Sequence, residues 1–322
     1  MTLYPLKTLH RIGLMDQMPP ISLEVEQSYR RSGKPRRVLV AFSGGSDSTA
    51  LLFALVELSK KLPMELCCVH VNHGLRSGAD AEEDHARLLA LKLGIPFIAK
   101  RVRVSTAGNL EDNARKSRYN AFLEAKAETG CDAVALAHHA GDQAETFLMH
   151  LMRGAGLDGL SGMREWRAPF WRPFLRIPKE EITAYLLTCG AEWVEDESNW
   201  NPAYLRNRIR LKLLPLMESF SPGATLRIAA AAGRLSDERE DADAAASSWL
   251  RQNARMEDPF YFLLAEPFKT EPPSLQRRVL RKLVSSAGVR LDFAQTEALL
   301  ERFSAVKQSS WNLPGGFRAF FS

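Results

Sequence analysis

Phosphate chemistry is most concentrated in Ser43-Gly-Gly-Ser-Asp-Ser48. Glycines such as Gly44 and Gly45 let a backbone approach a phosphate closely, and amides at the start of a helix receive its negative charge. Ser43, Ser46 and Ser48 add hydroxyl groups. Asp47 is the odd member, because a carboxylate beside a phosphate repels it unless Mg²⁺ lies between them. The same six residues could instead be a tight turn with a helix cap. A GxxxxGK[ST] loop is absent, so this would be a different phosphate cradle. Arg115 and Arg118 lie three apart, on one helical face, and suit a fork onto a phosphate. Asp142 and Glu145 have the spacing of a capping pair, and His138 and His139 come just before them. His70 and His73 lack an evident third ligand, so no metal site is expected there.

A second kind of chemistry follows. Arg164, Arg167, Arg172, Arg176 and Lys179 precede a denser cluster, Arg206, Arg208, Arg210 and Lys212. Charge alone is compatible with a solvated face. Beside Trp193, Trp200 and Tyr204, the cluster suits a phosphate backbone and an unstacked base.

These clusters need strands and helices to place them. Val38-Leu-Val-Ala-Phe42 is a continuous apolar run, the mark of a strand buried on both faces. Leu51, Leu52, Leu55, Val56 and Leu58 then form a helical stripe over 48–60. The alternation continues, with strands over 66–71, 96–104 and 132–137 and helices over 81–93, 110–129 and 142–153. It predicts an α/β fold with a doubly wound parallel sheet. Ligands of such sheets sit at the carboxyl ends of the strands, where 43–48, 72–76 and 138–142 fall. Glycines at 154, 156, 159 and 162 mark a connection, and alanine-rich segments at 229–246 and 274–287 predict helices without intervening strands. The expected organisation is a poorly ordered extension over 1–35, a catalytic domain over 36–217 and a small, mostly helical domain over 218–322.

Composition agrees with this outline. The 322 residues suffice for about two domains, and 45% hydrophobic with 25% charged residues is ordinary globular usage. No apolar run approaches the roughly 20 residues of a membrane helix. Asp16, Glu24 and Glu26 argue against a signal peptide. Cys67, Cys68, Cys131 and Cys189 form no CxxC pair, which suits a cytoplasmic chain without structural zinc. The net charge of +5 permits nucleic-acid binding without demanding it.

The loop matches the SGGxDS signature of the PP-loop ATP pyrophosphatases, which cleave ATP between the α and β phosphates, hold the pyrophosphate in the loop and place AMP on a substrate oxygen. Further motifs resemble the tRNA isoleucine lysidine synthetase family over about 38–214. They are Val69-His-Val-Asn-His-Gly-Leu-Arg76, Asn113-Ala-Arg-Lys-Ser-Arg-Tyr119, Ala137-His-His-Ala-Gly-Asp-Gln-Ala-Glu-Thr146, Arg153-Gly-Ala-Gly-Leu-Asp-Gly-Leu-Ser-Gly162, Arg172-Pro-Phe-Leu175, and Val194-Glu-Asp-Glu-Ser-Asn199 with Arg206-Asn-Arg-Ile-Arg210. Leu275-Gln-Arg-Arg278 resembles the family's helical domain. Gly141 departs from the pattern, where Asp or Asn is common, and the chain resembles the family's short form.

The resemblance implies adenylation of C2 of cytidine 34 in the CAU anticodon of tRNA(Ile), then attack by the ε-amine of free L-lysine. ATP would be bound by Ser43, Gly44, Gly45, Ser46, Asp47, Ser48 and Arg115, with Asp47 holding Mg²⁺ or orienting phosphate. Arg118 would stabilise the adenylation transition state, His138 would contact nucleotide, and Asp142 would engage the lysine or act as its general base. Arg206, Asn207, Arg208 and Arg210 would contact tRNA, and a homodimer is a candidate assembly. A tRNA thiolase of the same superfamily and a non-catalytic nucleotide- or tRNA-binding module are the alternatives.

Overall fold

The computed structural model describes residues 21–72, 79–103, 107, 110–194, 204–257, 260–304, 309–316 and 318–321. Expectations resting on residues 1–20, on His73 to Arg76 and on 195–203, Trp200 included, lie outside the described residues.

The apolar run at 38–42 folds as β1 (Arg37–Ala41), at the middle of a six-stranded sheet. Alternation sends its side chains to both faces. Val38, Val40 and Phe42 pack with Leu51 and Leu55, while Leu39 packs with Val69, Phe122 and Val134. Burial of such side chains on both sides, about 1.5–3 kcal/mol each, fixes the strand centrally. It pairs in parallel with β2 (Glu65–Asn72) on one side and β4 (Ala133–Ala135) on the other. The order is β3 (Phe97–Arg101), β2, β1, β4, β6 (Phe170–Trp171), β5 (Trp166–Arg167), with only β5 antiparallel. Helices α2 (Ser46–Ser59), α3 (Ala79–Lys92), α4 (Leu110–Thr129) and α5 (Ala140–Met152) follow β1 to β4 in turn. This is the doubly wound sheet expected, and the chain's direction of winding reverses between β1 and β4. Crevices at such reversals are where open α/β sheets bind ligands.

Within the expected extension, residues 21–31 are not poorly ordered. They form helix α1 (Ile21–Arg31), which buries Ile21, Val25, Ser28 and Tyr29. Trp171 Nε1 donates to Ser28 Oγ at 2.9 Å, and Arg31 makes a two-nitrogen contact with Glu165 at 2.8 and 3.0 Å. These contacts tie α1 to the β5–β6 edge of the sheet.

Two compact units divide between Gly233 and Arg234, inside helix α10 (Ala224–Asn253), rather than at 217–218. The second unit buries Ala246, Trp249, Phe268, Val279, Leu280 and Leu299. It is mainly helical, as expected, with α12 (Pro273–Ser286) and α13 (Phe293–Ser304), but it also contains two antiparallel strand pairs, one of them between the segments expected to have no intervening strands. They pair 254–257 with 260–263 and 309–312 with 318–321.

Candidate active site

After β1 the chain turns through the SGGSDS segment and enters α2. Gly44 has φ +87°, a conformation that strains any residue with a Cβ. The turn is cross-tied: the Ser43 amide donates to Ser48 Oγ (3.2 Å), and Ser48 Oγ and Thr49 Oγ1 each donate to the Gly45 carbonyl at 3.0 Å. Gly45 is the N-cap of α2, and no side chain caps the helix there. The amides of the first turn are thus available for an anion.

Opposite the loop, helix α7 (Lys179–Thr188) begins with a cation. Lys179 Nζ donates to Ser46 Oγ at 2.7 Å and to Asp47 Oδ1 at 2.5 Å. In the sequence Lys179 stands at the end of a basic run. A signal was present, because a cation in the first turn of a helix opposes the macrodipole and calls for an anionic partner. The turn before α7 also meets the start of α5, where the Ala140 amide donates to the Ile177 carbonyl at 3.0 Å.

At the carboxyl end of β4 the capping residue is His139. Its Nδ1 accepts from the Gly141 amide (3.0 Å), and its own amide donates to Asp142 Oδ2 (3.1 Å). The reciprocal cap therefore joins 139 to 142, and not Asp142 to Glu145. His139 Nε2 lies 3.9 Å from Asp47 Oδ2 and 3.7 Å from Asp142 Oδ2, a buried imidazole between two carboxylates. A Cβ at position 141 would stand 2.8 Å from His139 Cε1. Glycine there is what leaves room for this ring, which gives a physical reason for the departure from the family pattern.

Glu145 is 1% exposed and is held by two arginines. Arg206 Nε donates to its Oε2 at 2.8 Å, while Arg210 donates through Nε to Oε1 (2.5 Å) and through Nη2 to Asp142 Oδ1 (3.0 Å). Arg206 also reaches Thr146 Oγ1 at 3.2 Å. The arginines come from α8 (Leu205–Arg208) and the π-helical turn Ile209–Leu213 that continues it. Spaced four apart, they share a face. They are turned towards the carboxylates of α5. Arg208 and Lys212 are exposed, and Asn207 is buried.

Electrostatics distinguish the two main titratable groups. Burial alone would raise the Asp142 pKa, but His139, His138, Arg206 and Arg210 hold it well below the usual carboxylate range. His138 is pushed down to about 3, chiefly by burial; Asp142 opposes the shift and the charges of Arg172, Arg206 and Arg115 add to it. Its Nδ1 has no hydrogen-bond partner among the described residues. His138 is therefore a neutral imidazole near pH 7. His70, whose Nδ1 lies 3.0 Å from the Phe42 carbonyl, is lowered by burial and serves packing. Arg115 and Arg118 are exposed on α4, with the Arg115 guanidinium 5.3 Å from the centre of the Tyr119 ring.

The structure thus gathers 43–48, His138, His139, Asp142, Glu145, Lys179, Arg206 and Arg210 around the crevice between β1 and β4. Within it, Asp47, Asp142 and Glu145 are matched by Lys179, Arg206 and Arg210. A family model described as a PP-loop domain matches residues 19–217. The chain belongs to the PP-loop family. PP-loop relatives similar to it include proteins named tRNA(Ile)-lysidine synthase. The one from Geobacter sulfurreducens is 38% identical over 82% of this chain and 58% of its own length. The one from Pseudomonas syringae pv. tomato is 40% identical over 70% of this chain and 51% of its own. The chain therefore spans little more than half the length of these relatives. Among solved PP-loop structures, the U34-tRNA thiolase NcsA from Methanococcus maripaludis superposes with a TM-score of 0.59 at 19% identity, covering 67% of this chain and 78% of that one. That likeness concerns the fold. Three of the four cysteines here are buried, and burial pushes the Cys67 thiol up to about 11, which does not favour a thiolate nucleophile.

Proposed function

We propose that this PP-loop protein is a tRNA(Ile)-lysidine synthetase. On this reading ATP adenylates C2 of cytidine 34 in the CAU anticodon, and free L-lysine displaces AMP to give lysidine. The observation that carries the reading is the set of relatives with that name, matching up to 86% of this chain at 33–42% identity. The crevice supports it, because it places an uncapped helix start beside a carboxylate that is ionised at any physiological pH.

The proposed residue roles are these. The loop amides and the hydroxyls of Ser43, Ser46 and Ser48 receive phosphate, with Arg115 and Arg118 on α4 serving the α-phosphate. Asp47 uses Oδ1 on Lys179, while its Oδ2 has His139 no nearer than 3.9 Å, so one carboxylate oxygen is left for a hard cation. That donor fits Mg²⁺, which when bound would offset phosphate charge. His138, neutral, offers a hydrogen bond rather than a proton. Asp142 binds the lysine ammonium as a fixed counter-charge; a carboxylate held so low is a poor general base. Arg208 and Lys212, with the second unit from Arg234 onward, contact tRNA. No described helix is long and apolar enough to cross a membrane, and the proposed site of action is the cytoplasm.

The test is mass spectrometry of a tRNA(Ile) CAU transcript incubated with the protein, Mg²⁺–ATP and lysine. The expected result is a gain of lysine minus water at the first anticodon base, absent without lysine. Pyrophosphate release that ignores lysine would discard the lysine assignment, and no reaction by folded protein would favour a binding module.

A further inference from the structure

We propose that Lys179 is a pyrophosphate-binding residue, held on Asp47 until the nucleotide arrives. The inference rests on the ATP-splitting reading of the loop and adds to it a group from outside the SGGSDS segment.

The placement carries the argument. Lys179 Nζ lies 2.7 Å from the hydroxyl of Ser46, the first residue of α2, and 2.5 Å from the carboxylate of Asp47, the second. The ammonium thus stands at the helix start where the unbonded amides await an anion. Two features hold it there: Pro178 is the N-cap of α7, and the Ile177 carbonyl is bonded to the start of α5. A lysine in the first turn of α7 works against that helix's macrodipole, so its position is explained by what it faces across the crevice. With side chains 38% and 32% exposed, the Lys179–Asp47 pair contributes little to stability as a surface ion pair.

The chemistry gives the pair a use. Without nucleotide, Asp47 would otherwise be an isolated negative charge in a loop built for anions, and Lys179 neutralises it. With ATP bound, a cation held on the Asp47 carboxylate would take over the neutralisation of that charge. Lys179 is then left beside Ser46, facing the β and γ phosphates. As the substrate oxygen bonds to the α-phosphorus, the α–β anhydride bond breaks and its electron pair leaves on the bridging oxygen. The charge that accumulates on pyrophosphate is what an adjacent ammonium stabilises.

Calorimetric binding of pyrophosphate to the full chain, with Mg²⁺ in the buffer and AMP as the control ligand, tests this. Lys179→Met should weaken pyrophosphate at least tenfold and leave AMP within about twofold, while Lys179→Arg should retain most of the affinity. A purely structural lysine would shift thermal stability without changing the pyrophosphate-to-AMP ratio. Unchanged pyrophosphate binding by Lys179→Met, or equal loss of both ligands, would overturn the assignment and leave the ATP reading intact. A parent chain that binds neither ATP nor pyrophosphate would overturn both.

Discussion

At the scale of single residues, the proton on the incoming amine decides how Asp142 acts. A lysine ε-amine has a pKa near 10 and arrives as ammonium. Asp142 stays ionised well below the usual carboxylate range, so it attracts that ammonium strongly but has little tendency to take its proton. Replacing it with Asn removes the counter-charge and leaves Arg210 short of one partner. Asp142→Asn should therefore raise the KM for lysine by roughly 30-fold or more, the lower end of what losing a close charge pair costs, with the KM for ATP nearly unchanged in steady-state assays. The same carboxylate sets a pH dependence. Its folded pKa lies below the unfolded value near 4, so its contribution to stability is present above that pH and is lost as pH falls through it towards the folded value. Urea melts from pH 7 to pH 3 should show Asp142→Asn less stable than the parent at neutral pH, with the gap closing in acid. A gap of constant size would mean that the charge of Asp142 is not what stabilises the site.

One element, the helix through 205–220, separates two roles by face. Arg206 and Arg210 grip Glu145, while Arg208 and Lys212 look outward. Arg206→Ala leaves a buried carboxylate with Arg210 as its remaining arginine, and by the cost of breaking buried pairs it should lose about 2–3 kcal/mol. Thermal melts read this as a drop of several degrees. Arg208→Ala should leave stability within about 0.5 kcal/mol. It should instead lower the slope of log affinity for tRNA against log salt by roughly 0.7–0.9, the worth of one phosphate contact. The sequence showed this cluster but not its division, because the inward turn depends on a buried Glu145 61 residues from Arg206 in the chain. By contrast, β1, α2 and α4 were legible because two-faced burial and long periodic segments leave a local record. Helix α1 was not, since its burial rests on Trp171 and Glu165, far along the sequence. The four-residue hairpin strands of the second unit were too short to interrupt an alanine-rich pattern. The SGGSDS loop was legible residue by residue, whereas Lys179 became a site residue only once α7 was seen across the crevice.

For the whole molecule, the position of the unit boundary has measurable consequences. Glu218 accepts the amides of Gly223 (2.6 Å) and Thr225 (2.7 Å), and Ile228 packs against the cluster of Leu148, Ile209 and Leu214. The first turns of α10 thus belong energetically with the loop-bearing unit, although the alanine-rich composition suggested a break near Met217. A chain ending after Gly233 keeps both features, and one ending after Met217 loses them. The lost apolar burial of Ile228 and the lost cap are together worth about 2 kcal/mol. For a unit of this size, the longer truncation should melt roughly 4–8 °C above the shorter. It should also bind ATP within about threefold of the full chain, because every crevice residue named above precedes Gly233. Its affinity for tRNA should fall, since the proposed backbone contacts of the remaining chain are gone. Equal melting temperatures would return the boundary to 217. Undiminished tRNA affinity in the 1–233 chain would assign RNA binding to Arg208, Lys212 and their neighbours alone.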